Sequence, residues 1–588
     1  MMKIRSLAAA ALLLAACHVG AAEIDPQETK ALHALFARQW ETITERFPEF
    51  ATYRGDYRFN DRLADVSPEA IASLDALSHE WLAAAKAIRG DRLSATDRVS
   101  LDMFVRARER EIAIQPFTGY RSQRVGTLGG VQSDLVSLLQ VVPMQTRQQV
   151  EQLLTRLDAL PRRMDQEIAL MRRGIADGWV PGKDVIERVL AQIDGQLAPE
   201  IEAGPYWGPF KRLGSDIPEA DRKALQAAGR AAIERDVIPA MKKLRAFVAD
   251  EYAPKAPANG ALSNYPDGRR VYELLVRSQT TTNLGAAEIH AIGQRELVRL
   301  RGEMEAVMRE TKFDGDFAAF VKHLNTDPKF YYTDPEALLG GYRAIAKRID
   351  AELPRLFAEL PRAPYGVRAM PAFRGPDAAE YYDAPARDGS RAGYFNANVL
   401  GLDSKPKWGM ATLVAHEAVP GHHLQIARGM ELKDLPEFRR AGFGYTAFVE
   451  GWALYAETLG NQIGLYDDPY SRFGHLQWQA FRAARLVVDT GIHALGWSRQ
   501  QAIDFMAERT GVDRNFVSSE VDRYTSTPGQ ALAYMIGELK IIELRERAKA
   551  RLGGKFDLRR FNNAVIDQGA LPLDTLERVI DDWIGAGG

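Results

Sequence analysis

Helical periodicity is the feature that most constrains the fold of this chain. From Asp25 onward, apolar residues recur at spacings of three and four, which is the pattern of helices with one buried face. Ala, Leu, Arg and Glu, all good helix formers, dominate the same region. One apolar stripe consists of Ile289, Ile292, Leu297, Leu300, Met304 and Val307. The pattern predicts a mainly α-helical protein.

Two regions rich in Pro and Gly, residues 252–269 and 354–391, interrupt this pattern. Between the second region and the motif described below, residues 394–400 (YFNANVL) favour a short strand. We place a lobe boundary near residue 270, which gives an N-terminal helical lobe over residues 23–270 and a catalytic helical lobe over residues 271–588.

The composition excludes one class of partner. The chain has 588 residues, 46% of them apolar, which is enough for a sizeable core. Its charged residues nearly balance, with a net charge of -2, and no block of like charges forms a tail. A nucleic-acid surface needs clustered excess Lys and Arg. We therefore expect no nucleic-acid partner.

The first 22 residues are typical of a bacterial export signal. Lys3 and Arg5 precede an apolar run over residues 6–16, which is too short to span a membrane. The only cysteine, Cys17, follows Leu-Ala-Ala and resembles a lipobox, in which the cysteine is lipidated. Ordinary cleavage after Ala22 is the alternative. We expect a protein exported from the cytoplasm, either lipid-anchored through Cys17 or soluble in the periplasm, with no other membrane contact.

A histidine cluster is the strongest sign of chemistry. Three of the ten histidines lie in the segment HEAVPGHH, as His416, His422 and His423. A His-Glu pair followed by another His is typical of zinc proteases, in which two imidazoles bind the metal and the Glu takes a proton from the bound water. This pattern makes His416 a candidate ligand and Glu417 the candidate base.

Pro420 occupies the position at which such motifs usually carry their second histidine. In a regular helix His422 would lie about 120° away from His416, and His423 would lie about 10.5 Å along the axis. Pro420 cannot donate a hydrogen bond to the carbonyl of His416, and its ring clashes there. We therefore predict an interrupted helix over residues 419–421, with either His422 or His423 as the second ligand.

A third ligand is needed, because catalytic zinc usually takes three protein ligands. Glu450 follows 28 residues after His422 in the apolar segment FVEGWALYAE, with Glu457 seven residues further on. A carboxylate in such a segment is costly to bury unless it meets a cation. We predict that Glu450 is this ligand.

Four segments resemble a bacterial family of exported or lipid-anchored proteins known as domain of unknown function 885. They are HEAVPGHHLQ, FVEGWALYAE, RLVVDTGIH and RYTSTPGQALAYMIG. That family resembles helical gluzincins such as thimet oligopeptidase and carboxypeptidase Taq, whose Gly-His and Phe-Val-Glu motifs hold zinc. The resemblance implies one zinc ion on His416, His422 and Glu450. It also implies a large helical architecture with a deep cleft between lobes, and at most a small sheet near the active site.

Further candidates lie in the later motifs and in the possible strand, each with a structural role as the alternative. A hydrolase of this kind needs a donor for the oxyanion. The candidate donors are Tyr524, Tyr534 and His493. The candidate substrate-binding residues are Arg523, His423 and Asn396. Arg523 could bind a carboxylate, and Asn396 lies on a predicted strand that could pair with the substrate backbone.

Together these features predict a zinc-dependent hydrolase of peptide bonds that acts on a peptide or small amide. A zinc hydrolase of a non-peptide amide or ester is one alternative. A non-catalytic binding protein of the cell envelope is another. The presence of Glu417 beside His416 counts against the binding protein, because a site that only binds has no use for the base.

Overall fold

The protein is described by a computed structural model that covers residues 24–588, except 128, 199, 372–374, 377, 387–388, 390 and 441–443. Helices make up most of these residues, as the periodicity predicts. The predicted export signal, including Cys17, lies outside the described residues.

Eleven α-helices form the first part of the described chain. They are α1 (Pro26–Arg46), α2 (Pro48–Tyr53), α3 (Pro68–Ala87), α4 (Ala95–Ile114), α5 (Thr118–Arg121), α6 (Val131–Val141), α7 (Arg147–Asp158), α8 (Leu160–Ala176), α9 (Lys183–Gln196), α10 (Glu219–Ala232) and α11 (Ile238–Phe247). Most of these helices begin at a residue that favours a helix N-terminus. Ser67 and Ser94, for example, cap α3 and α4 by accepting a backbone N–H from the first turn.

Fourteen α-helices form the second part. They are α12 (Gly268–Thr280), α13 (Ala286–Glu310), α14 (Phe317–Thr326), α15 (Pro335–Leu356), α16 (Met410–Glu417), α17 (His422–Glu431), α18 (Glu437–Arg440), α19 (Thr446–Leu459), α20 (Pro469–Leu495), α21 (Arg499–Thr510), α22 (Arg514–Ser526), α23 (Ala533–Leu552), α24 (Leu558–Ile566) and α25 (Leu573–Gly585). The long helices α13 and α20 pack along each other. The predicted stripe of α13 is largely buried, from Ile289 to Val307.

One small sheet lies beside the histidine cluster. Its strands are β1 (Tyr365–Ala369), β2 (Tyr381–Asp383) and β3 (Gly393–Ala397), in the order β1-β3-β2. Strand β3 pairs in parallel with β1 and antiparallel with β2. The predicted class, mainly helical with a small sheet near the site, is confirmed.

Buried apolar side chains form two large clusters. One lies within residues 125–252. The other runs from Ala261 to Ile584 and takes in only Met103 and Trp179 from the earlier helices. A smaller cluster joins α1, α3 and α4. The clusters separate between Tyr252 and Ala261, whereas the lobe boundary near residue 270 stays a prediction.

A cavity of about 650 Å³ opens between the two parts of the chain. Helices α1, α2, α4, α6 and α8 form one side of it, and the segment that leads into α19 forms part of the other. Tyr445, the residue before α19, lines this cavity, and Glu450 lies five residues further along the chain.

Glycines bring α19 and α23 into close contact. A Cβ atom on Gly537 would lie 1.8 Å from the carbonyl oxygen of Ala447, and one on Gly451 would lie 2.4 Å from the Cα of Gly537. Only residues without side chains allow the two backbones to approach this closely. Since Glu450 precedes Gly451, this contact sets the position of the predicted third ligand.

Candidate metal centre

The helix that carries His416 is interrupted, as Pro420 predicts. Helix α16 ends at Glu417 and α17 begins at His422. A Cβ atom on Gly421 would lie 1.9 Å from the carbonyl oxygen of His416, so the turn closes only with glycine there. Trp452 on α19 donates its indole N–H to the carbonyl of Pro420 at 3.0 Å, which fixes the turn.

This turn brings His422 back to His416 and Glu450. Oε2 of Glu450 lies 3.5 Å from Nε2 of His416 and 3.4 Å from Nε2 of His422. The same oxygen is buried and has no hydrogen-bond partner of good geometry. The carboxylate of Glu417 is also near, with ligand atoms of Glu417 and both imidazoles within 4.8 Å of one another. Two histidines and two carboxylates thus face one point.

His423 faces away from that point. Its Nε2 donates to the carbonyl of Ala363 at 3.1 Å, and its Nδ1 accepts from the hydroxyl of Tyr382 at 2.8 Å. Burial lowers the pKa of His423 to about 4, so the ring is neutral. Its bonds tie α17 to β2, and the predicted substrate contact of His423 stays a prediction.

Glu457 supports His416 from behind, a role that the sequence did not predict. Nδ1 of His416 donates to Glu457 at 2.8 Å, which leaves Nε2 directed at Glu450. Thr412 also donates to Glu457, at 2.9 Å, and Arg482 lies 3.6 Å away. The sequence feature that could have indicated this role is the spacing of Glu450 and Glu457, because residues seven apart lie on the same face of a helix.

The charges at the cluster are strongly perturbed. Burial raises the pKa of Glu417 to about 8, an effect that His422 partly offsets and Glu450 increases. Burial would also raise the pKa of Glu450, but His422 and His416 outweigh it and hold that pKa well below its usual range. The two carboxylates therefore differ in proton affinity, with Glu450 the anion and Glu417 the group that holds a proton more tightly.

The side chain of Gln425 fixes the other imidazole. Its amide nitrogen lies 3.0 Å from Nδ1 of His422 and donates to the carbonyl of Val449 at 2.7 Å. Since Val449 precedes Glu450, this amide links the ring of His422 to the helix that carries the carboxylate. Nδ1 of His422 accepts from this amide, whereas Nδ1 of His416 donates to Glu457.

The two tyrosines predicted as oxyanion donors occupy different places. Tyr534 is only partly buried, and the negative charge of Glu450 acts on its hydroxyl, so it lies near the cluster. Tyr524 is fully buried, accepts from Arg485 at 3.0 Å and donates to Glu520 at 3.0 Å. The predicted role of either tyrosine as an oxyanion donor stays a prediction.

His493 and Arg523 both form hydrogen bonds inside the protein, and their predicted roles stay predictions. Nδ1 of His493 accepts from the backbone N–H of Leu262, and its Nε2 donates to the carbonyl of Tyr524. Arg523 uses Nε and Nη2 on Glu520, at 3.0 and 2.9 Å, and Nη1 on Gln530. With every polar nitrogen bonded inside the protein, both residues hold the fold together.

Asn396 lies on β3, and its predicted contact with substrate stays a prediction. Its Nδ2 donates to Asp383 and to two backbone carbonyls, and its Oδ1 accepts from Arg368 at 2.7 Å. Because β3 is the central strand, β1 and β2 occupy both of its edges. Sequence cannot reveal this, since strand order depends on pairing between distant segments.

No described helix is both long enough and apolar enough to cross a bilayer. The one membrane contact that the sequence predicts, through Cys17, lies in the part of the chain that the structure does not describe.

Two solved structures share this fold over nearly their whole length. The first, a "putative lipoprotein" from Colwellia psychrerythraea, aligns with a TM-score of 0.89 and 28% identity, covering 95% of this chain and 99% of that one. The second, a "putative lipoprotein of unknown function" from Shewanella oneidensis, aligns with a TM-score of 0.72 and 17% identity, covering 94% and 99%.

A search of functionally curated proteins finds no match. The sequence model of one family, described as "Bacterial protein of unknown function (DUF885)", matches residues 48–580. That range contains His416, Glu417, His422 and Glu450 together with the α19–α23 contact that positions them. Since the match spans most of the chain, this protein belongs to the DUF885 family.

Proposed function

We propose that this protein is a zinc-dependent hydrolase of peptide bonds, with His416, His422 and Glu450 as zinc ligands and Glu417 as general base. One observation carries the proposal. Oε2 of Glu450 is buried without a hydrogen-bond partner, yet it lies 3.5 and 3.4 Å from the Nε2 atoms of two histidines. Leaving such an atom unsatisfied is costly unless a cation meets it.

The spacing of these atoms fits zinc. Two ligands that each lie about 2.0–2.1 Å from a tetrahedral ion are about 3.3–3.4 Å apart. The observed 3.5 and 3.4 Å are close to that separation. Two imidazole nitrogens and one carboxylate oxygen are also a common ligand set for catalytic zinc, and they leave one position open.

Each residue then has a definite task. When bound, zinc would polarise the substrate carbonyl, lower the pKa of the attacking water toward about 7 and favour the ionised form of Glu417. The carboxylate of Glu417 accepts the proton of that water and returns it to the leaving nitrogen. Glu457 keeps the proton of His416 on Nδ1, so its Nε2 stays free as a ligand. We assign the hydroxyl of Tyr534, on which the charge of Glu450 acts, as the donor to the developing oxyanion.

The substrate side of the proposal rests on burial. Side chains of the cluster are only 4 to 18% exposed, so the site is too recessed for a folded protein to reach. A flexible peptide enters such a space more readily than a folded protein does. We therefore propose peptides as substrates.

We also propose that the protein acts outside the cytoplasm. Residues 1–22 have the pattern of an export signal that ends close to Cys17. Both structural relatives are described as lipoproteins. A lipid on Cys17 would place the hydrolase at the cell envelope.

The test is hydrolysis of a mixed peptide library, read by mass spectrometry. We expect cleavage by the purified zinc-loaded protein, no cleavage after removal of metal with a chelator, and recovery when zinc is returned. Glu417→Gln keeps the shape of the side chain but removes the base, so it should bind zinc and lose about 10²–10⁴-fold in rate. Near-normal turnover by Glu417→Gln would overturn the mechanism.

A further inference from the structure

A second site, separate from the histidine cluster, lies in the cavity between the two parts of the chain. Its volume of about 650 Å³ is that of pockets that hold small organic ligands. His416, Glu417, His422 and Glu450 are not among its lining residues. Its walls are rich in aromatic side chains, namely Trp40, Phe47, Phe50, Tyr53, Phe438 and Tyr445.

The polar part of this cavity is positively charged. Five arginines line it, of which Arg108, Arg124 and Arg163 are ion-paired with glutamates. Arg110 and Arg439 form no ion pair with the described residues, and they face one further acidic residue, Asp134, in the wall. Four arginines, Arg439 among them, place positive charge near the hydroxyl of Tyr445 and favour its ionised form. An apolar cavity with excess positive charge favours a ligand that carries a negative group.

Arg439 carries a charge that the protein does not neutralise. It is only 8% exposed, and it donates to the hydroxyl of Ser100 at 3.0 Å and to the carbonyl of Gln568. Its Nε has no acceptor. The charge of Asp97 acts on the guanidinium from a distance, but among the described residues Arg439 forms no ion pair. A buried cation without an anion is costly, so an anionic ligand in the cavity would stabilise it.

The N-terminal end of α19 adds to this potential. Gly444 and Tyr445, which lead into the helix, both line the cavity. No side chain caps the first turn of this 14-residue helix. Its first backbone N–H groups carry the positive end of the helix dipole and suit a carboxylate.

From these features we infer that the cavity binds an apolar monocarboxylate. Its carboxylate lies toward Arg439 and the start of α19, and its apolar body lies among the aromatic walls. Such a ligand is either a free carboxylic acid or the C-terminal residue of a peptide. Binding needs no metal, so the inference is independent of the proposed zinc chemistry.

The test uses calorimetric titration of the chelator-treated protein with 4-phenylbutyrate, and with the uncharged 4-phenylbutanol as its counterpart. We expect one site per chain and at least tenfold weaker binding of the alcohol. Arg439→Gln should weaken 4-phenylbutyrate binding by about tenfold or more, the usual effect of losing a charged partner. Arg514→Gln, an exposed arginine far from the cavity, should bind as the unmodified protein does.

A second variant guards against misfolding of Arg439→Gln, whose side chain also joins separate segments. Ala107 lines the cavity from α4, and Ala107→Trp should fill the space and abolish binding while thermal unfolding stays cooperative. Equal affinity for acid and alcohol, or unchanged binding in both variants, would overturn the inference. Displacement of 4-phenylbutyrate by a peptide ending in phenylalanine, but not by its C-terminal amide, would assign the cavity to peptide ends. Displacement by neither peptide would assign the cavity to free carboxylic acids.

Discussion

Two carboxylates on α19 act on opposite sides of one imidazole. Glu450 faces Nε2 of His416, and Glu457 binds its Nδ1 at 2.8 Å. The arrangement matters because a histidine ligand needs its proton on the nitrogen that does not bind the metal. The spacing of seven residues was visible in the sequence, but only the position of His416 shows what Glu457 contacts.

At this scale we predict that Glu457→Gln weakens zinc binding. The amide of the variant is no longer a charged acceptor for Nδ1 of His416. Loss of such a partner typically lowers metal affinity by about 10–100-fold, and we expect a change of about this size. Competition with a chromogenic chelator measures it. Glu303→Gln, on the exposed face of α13, is the control and should match the unmodified protein. Equal zinc affinity in Glu457→Gln would show that Glu457 does not support the site.

Among the helices, the contact of α19 with α23 decides where Glu450 lies. Gly451 and Gly537 meet at this crossing, and neither has room for a Cβ atom. The contact is rigid because both sides are backbone, which cannot rotate away as a side chain can.

We therefore predict that Gly537→Ala destabilises the protein by about 1–3 kcal/mol or more, as overpacked cores do, and also weakens zinc binding. The added Cβ would lie 1.8 Å from the carbonyl of Ala447. Gly302→Ala is the matched control, since that glycine is helical with nothing within 4 Å of its Cβ position. The control should gain about 0.5–1 kcal/mol from helix propensity. Chemical denaturation gives both values, and similar effects of the two substitutions would contradict this account of the packing.

The elements also show what sequence could and could not predict. Pro420 and Gly421 suffice to predict the break in the helix, because proline and glycine act on the local backbone. The resemblance to related motifs favoured His422, but the turn that brings it to His416 depends on the bond from Trp452. The central place of β3, the strand that carries Asn396, depends on strands from other segments.

For the whole molecule, the fold class followed from periodicity, since amphipathic helices need only a local pattern. The cavity could not be predicted from periodicity, because its walls come from five helices of one part of the chain and a segment of the other. The same is true of the hydrogen bond that His493 accepts from the backbone N–H of Leu262, which lies on a distant segment.

Location is also a property of the whole molecule, and here we predict a lipid anchor on Cys17. Expressed with its full signal, the protein should fractionate with membranes, and Cys17→Ser should release it or leave it uncleaved. Mass spectrometry of the mature N-terminus checks this directly. A mature chain that begins at Glu23 without lipid would contradict the anchor and leave a periplasmic protein.

The central claim is that one zinc ion joins His416, His422 and Glu450, and elemental analysis of the purified protein tests it most directly. We predict about one zinc per chain in the unmodified protein, since one set of three ligands is present. Glu450→Ala should lose most of that zinc, whereas His423→Ala, which alters the neighbouring histidine bonded to Tyr382 and Ala363, should keep it. Full zinc content in Glu450→Ala would contradict the account.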